Sequence, residues 1–144
     1  MNIHEFMQDK RFAIGYALDY SSMSMDESIP TTRTRIILAD GESVSVQANE
    51  YCYCHPRSDM SWVDLNSFSV PYYEYELGFP SFVANEWMEY AEQSEKPTDT
   101  VYGYVPADVV QKVIDTHGGI DVEATLAFKQ KREEERKAKR ENKQ

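Results

Sequence analysis

The stretch EYCYCHPRSD, residues 50–59, gathers more reactive side-chain types than any other part of this 144-residue chain: Cys52 and Cys54, then His55 and Arg57. Three chemistries compete there. A zinc site needs about four thiolate, imidazole or carboxylate ligands in a tetrahedron. A C-x-C pair on a strand sends both thiols to one face without the C-x₂-C knuckle, and His4, His55 and His117 are the chain's only imidazoles. A thiolate nucleophile at Cys54 needs an imidazole beside it, but His55 follows directly and, on a strand, points to the opposite face. The remaining reading makes both cysteines small hydrophobes of a sheet core, where free cysteine is usually found. It is the one the spacing favours, and no catalytic residue, metal or cofactor is assigned. An enzyme built on Cys54 or His117 stays as a third alternative for function. His117 precedes a Gly-Gly pair at a helix end, where an imidazole sits well against the helix dipole.

The acids form a second constellation. Glu74 and Glu76 share one face of an expected strand, while Glu86, Glu89, Glu92 and Glu95 run three apart beyond it. The formal net charge is −10, unevenly spread: residues 129–144 hold eight Lys/Arg and four Glu, leaving the body at −14. Phosphate neutralisation supplies most nucleic-acid affinity, so the body is not expected to bind nucleic acid directly. It suits a protein that competes with nucleic acid for a basic partner. Of ten tyrosines, seven (51, 53, 72, 73, 75, 102 and 104) fall in expected strands. Tyr72, beside the acidic face, is the expected aromatic anchor of a partner-binding surface formed with Glu74, Glu76, Glu86, Glu89 and Glu92. The alternative is a small-ligand site for a nucleotide signal, with Tyr53 and Tyr102 stacking a base and Arg57 holding phosphate.

These side chains need a scaffold. Phe12, Ile14, Tyr16 and Leu18 alternate at strand period, and SSMSMDESIP reads as a loop by composition. TRTRIILADGESVSVQANEYCYC reads as a hairpin turning at Asp40-Gly41 in a type I′ turn. Its second run places Val44, Val46, Ala48, Cys52 and Cys54 on one face. PYYEYELGFP and TVYGYVP are further strands. Ser81 is placed to cap a helix over FVANEWMEYAEQ with Phe82, Val83, Trp87, Tyr90 and Ala91 on its apolar side. Pro106 opens a second helix with Val109, Val110, Val113 and Ile114, which Gly118 stops. A last helix starts near residue 121. Beyond Phe128 no bulky apolar residue remains, so 129–144 is expected to be a charged helical or disordered tail on a single domain, 1–128. The class is α+β: an antiparallel sheet of about four to five strands with two helices on one face. No run of about 18 apolar residues would cross a membrane. Two cysteines too close to bridge suit a reducing cytoplasm.

The segments SVSVQANEYCYCHPR, YELGFPS, TVYGYVP and HGGI, in this order, resemble small accessory proteins encoded by bacteriophages and prophages, over about residues 36–120. No catalytic motif comes with the resemblance. It implies expression in a bacterial cytoplasm and an anti-defence role, since small acidic phage proteins include inhibitors of CRISPR nucleases and restriction enzymes. The expected function is therefore a binding protein that inhibits a basic, nucleic-acid-handling host enzyme.

Overall fold

The computed structural model describes residues 1–19, 24–49, 54–55, 68 and 71–141, with the backbone alone for 15–19 and 24–31. Among the described residues six strands fall into two antiparallel sheets. β1 (Ala13–Asp19) pairs with β2 (Ser24–Arg33), and a four-stranded sheet runs in the order β3 (Ile36–Ile37), β4 (Ser43–Gln47), β5 (Glu74–Gly78), β6 (Val101–Pro106). Helices α1 (Ile3–Gln8), α2 (Ala107–Thr116) and α3 (Val122–Glu141) and two 3₁₀ segments, Lys10–Phe12 and Asn85–Tyr90, complete an α+β fold.

The β3–β4 hairpin forms at Asp40-Gly41, but by a different turn from type I′. Gly41 N–H donates to Leu38 O at 2.9 Å and Leu38 N–H to Glu42 O at 2.8 Å, leaving three loop residues. Gly41 alone takes a left-handed φ, +89°. That is a type I turn closed by a glycine bulge, which needs one positive φ where type I′ needs two. Alternation then sorts the side chains: Val44 and Val46 are buried, while Ser43, Ser45 and Gln47 are half-buried. Tyr75 and Leu77 from β5 and Tyr102 and Val105 from β6 continue the same core face. Ile3, Phe6, Val110, Val113, Ile114 and Trp87 cover it.

The stretch expected to loop, SSMSMDESIP, contributes Ser24–Pro30 to β2. Its Pro30 sits opposite Tyr16 in a two-stranded pair, where a residue without an N–H is tolerated because one side of the strand needs no ladder bond. The expected helix over 82–93 is also corrected: only the 3₁₀ segment Asn85–Tyr90 forms, with Ala84 at its start and no side-chain cap. Ser81 cannot serve, because its hydroxyl donates to Glu42 at 2.5 Å and accepts from Ser43 N–H at 2.8 Å. Its own N–H is held by Ser43 O. Val83, expected on the apolar side, is 58% exposed as a result.

α1 has no counterpart among the expected elements. Its signal is a capping box: Asn2 Oδ1 accepts from Glu5 N–H at 2.8 Å, and Glu5 Oε1 accepts from Asn2 N–H at 3.1 Å. Beneath it lies Arg33, 1% exposed, whose guanidinium donates to Met7 O and Ala48 O and lies 4.0 Å from the Phe68 ring centre. α3 docks on β3 through Thr125. This hydroxyl accepts from Ile37 N–H at 3.0 Å and donates to Asp121 O at 2.7 Å, while Asp121 N–H reaches Ile37 O at 2.9 Å. No helix among the described residues is long and apolar enough to cross a membrane.

Candidate binding surface

β6 carries the irregularity that shapes the site. Tyr75 pairs with Val105 and Leu77 with Tyr102, so Gly103 and Tyr104 together oppose Glu76. The extra residue breaks the alternation. Tyr102 and Val105 both stay buried, and Tyr104 is turned out to a half-buried position with φ +55°. A left-handed φ in an aromatic residue is strained, and bulges of this kind re-aim side chains near functional sites. The Tyr104 ring packs on His55, with centroids 4.7 Å apart, and His55 in turn stacks on Tyr73 at 6.1 Å. His55 Nδ1 also hydrogen-bonds the Glu74 carboxylate. Its backbone pairs with the start of β5, His55 N–H to Glu74 O at 3.1 Å.

Beside the bulge the 3₁₀ segment brings up its acids. Three residues per turn place i and i+3 in line, so the spacing of Glu86 and Glu89 stacks them on one outer edge, and both are exposed. Glu92 follows, tied to the sheet by its N–H on Val101 O at 3.0 Å. Between the segment and β6 lies an open groove of about 420 Å³ lined by Glu89, Tyr90, Glu92, Val101, Gly103 and Tyr104. Burial first, and then the charges of Glu89, Glu74 and Asp108, push the Tyr90 phenol above its ordinary value of 10.0. Three carboxylates from β5, the 3₁₀ segment and α2 thus act on one hydroxyl. Glu86, Glu89, Glu92 and Glu95 form no ion pair among the described residues.

The expected partner-binding residues divide. Glu86, Glu89 and Glu92 are exposed on this edge; Glu74 and Glu76 are half-buried, and Glu74 is engaged with His55. Tyr72 is corrected: at 6% exposure it belongs to the core and lines a separate 150 Å³ cavity with His4, Met7, Gln8, Pro71, Tyr73 and Tyr75. The aromatic residues facing the acids are Tyr90 and Tyr104. For Tyr104 the glycine of VYGYVP hints at an irregular strand, since glycine inside a strand often marks a bulge, but it does not show which side chain turns outward.

For the small-ligand alternative, Tyr102 is wholly buried and its hydroxyl donates to Pro97 O at 2.6 Å, so it offers no face to a base. Tyr53 and Arg57 lie outside the described residues, as does Cys52. Cys54 is 1% exposed with its thiol on Asn49 O at 3.2 Å, which matches the core reading and removes it as an accessible nucleophile. His117 is the C-cap of α2, its Nδ1 on Asp40 and its ring 4.1 Å from that of Phe82, a structural setting. Among the described residues no group of three His, Cys, Asp or Glu side chains gathers as a metal site. No protein-family model, curated protein or solved structure matches the chain, so its function rests on this geometry.

Proposed function

We propose that this is a binding protein that inhibits a basic, nucleic-acid-handling enzyme by occupying the enzyme's nucleic-acid channel with an acidic, tyrosine-lined edge. The observation that carries the reading is the row Glu86, Glu89 and Glu92, exposed and without ion pairs among the described residues, beside a groove walled by Tyr90 and Tyr104. Carboxylates left unneutralised on one edge project a negative field that a basic channel relieves. The body's −14 adds to it. Aromatic residues at the same edge supply contact area that charge alone lacks. The resemblance to small phage and prophage proteins makes a bacterial defence enzyme, such as a CRISPR nuclease, the target class and the host cytoplasm the setting.

The test compares the wild-type protein with a Glu86→Lys, Glu89→Lys, Glu92→Lys triple variant, each immobilised and exposed to bacterial lysate. Wild type is expected to retain nucleic-acid-handling enzymes that added DNA or RNA displaces. The triple variant is expected to lose them, with association to the purified enzyme slowed about tenfold or more. Retention of the same enzymes by the triple variant, or indifference to nucleic acid, would overturn the reading.

A further inference from the structure

We propose that the groove between Glu89 and Tyr104 is an arginine-reading pocket, receiving one arginine side chain from a basic segment of the partner protein. This rests on the acidic-edge reading but asks more of it, since it assigns the contact to a geometry and not to charge alone.

The lining has two parts that match the two parts of an arginine. Tyr90, Tyr104, Val101 and Gly103 supply mostly apolar walls, and the exposed acids Glu89 and Glu92 line the same groove. A guanidinium is planar and weakly hydrated; it stacks on an aromatic face and offers paired N–H donors to a carboxylate. An ammonium is a compact, strongly hydrated charge and makes less use of an apolar wall. The volume of about 420 Å³ accommodates the guanidinium with its aliphatic stem.

The strained backbone of Tyr104 is the independent observation. With regular alternation the ring would turn into the core; the bulge and the φ of +55° place it on the groove instead, where it packs at a tilt on the His55 ring. Strain of this kind persists where the surrounding structure over-determines it, and it clusters at ligand clamps. Burial first raises the affinity of the Tyr90 phenol for its proton; the charges of Glu89, Glu74 and Asp108 add to it, and that second part is what an incoming cation would relieve.

Two synthetic peptides of equal length and charge, one with four arginines and one with four lysines spaced by Gly-Ser, would be titrated against the full chain at low and at physiological salt. The arginine peptide is expected to bind about fivefold more tightly. Tyr104→Gly is expected to erase that preference while leaving the salt dependence. Glycine accepts the backbone conformation at 104, so this variant keeps its fold, which its melting curve checks. Glu89→Gln with Glu92→Gln should weaken the arginine peptide more than the lysine one, whereas Glu86→Gln, outside the groove, should weaken both alike. Equal affinity for the two peptides, or a preference that survives Tyr104→Gly, with salt dependence retained, overturns the pocket and leaves the acidic edge standing. The absence of salt-sensitive binding of either peptide overturns both. Self-association that disappears on deleting 131–144 would assign the groove to the basic tail of a second copy and overturn the separate partner.

Discussion

His117 donates its Nδ1–H to Asp40 at 2.5 Å, joining the tip of the β3–β4 hairpin to the end of α2 across 77 positions of sequence. Asp40 also accepts from Glu42 N–H at 3.0 Å. That backbone bond first, and His117 second, hold its carboxyl below the ordinary 3.8. A depressed carboxylate stabilises the fold above its unfolded value and loses that contribution as pH falls through the folded value. Asp40→Ala is therefore expected to lower the urea midpoint at neutral pH, with the difference from wild type closing as pH falls below 3.8 and through the lower folded value. Midpoints measured across that range check it; a constant gap at every pH would show that the carboxylate charge plays no part.

Gly118 and Gly41 share a φ of +89°, but their surroundings differ. A Cβ at Gly118 would stand 2.9 Å from Ala39 Cβ, while one at Gly41 meets nothing within 4 Å. Gly41→Ala should cost only the left-handed backbone, about 1 kcal/mol after the gain in the unfolded state. Gly118→Ala adds the clash and should cost about 2 kcal/mol or more. Equal losses of melting temperature would mean that the hairpin gives way freely.

Arg33 supplies the donors for Met7 O and Ala48 O. Arg33→Met leaves both carbonyls buried without them, at an expected cost of about 3 kcal/mol. Arg33→Lys should recover little of it, because an ammonium cannot reproduce the fork. Denaturant titration of both variants would read this directly, and a neutral Arg33→Met would refute it.

Residues 130–141 of α3 are exposed, and Lys129 Nζ donates to Arg11 O at 2.7 Å. Deleting 131–144 should leave the melting temperature within about 1 °C of wild type. Starting the deletion at 129 should lower it by about 2 °C more. A loss of cooperative unfolding in the shorter deletion would show that the tail packs on the body.

The sheet was legible because its cues are local. Val44 and Val46, or Tyr75 and Leu77, alternate with polar neighbours, and Asp40-Gly41 announces a turn. The 82–93 helix was misread because the fate of Ser81 depends on Glu42 and Ser43, about 40 positions away, and no local pattern shows that its hydroxyl is taken. Tyr72 was misassigned for a related reason. Alternation from Glu74 places it outward, but α1 lies across that position and His4, Met7 and Gln8 line the same cavity. The acids of the site were readable as charge. Their aromatic partner was not, since the residue that faces outward on β6 depends on one inserted position at Gly103-Tyr104.

The order of the sheet has a further consequence. α3 docks at β3, one edge, and the acidic segment lies against β6, the opposite edge. The helix runs 20 residues, about 30 Å, and carries the chain's excess of positive charge at its free end. The exposed acids Glu86, Glu89 and Glu92 and the basic stretch of α3 thus belong to elements attached at opposite edges of one hydrogen-bonded sheet, an uneven distribution of charge. A positively charged surface attracts the acidic segment and repels the basic stretch, so approach is not indifferent to orientation. More of its collisions are then face-on, an advantage in encounter geometry that fades as salt shortens the reach of the field.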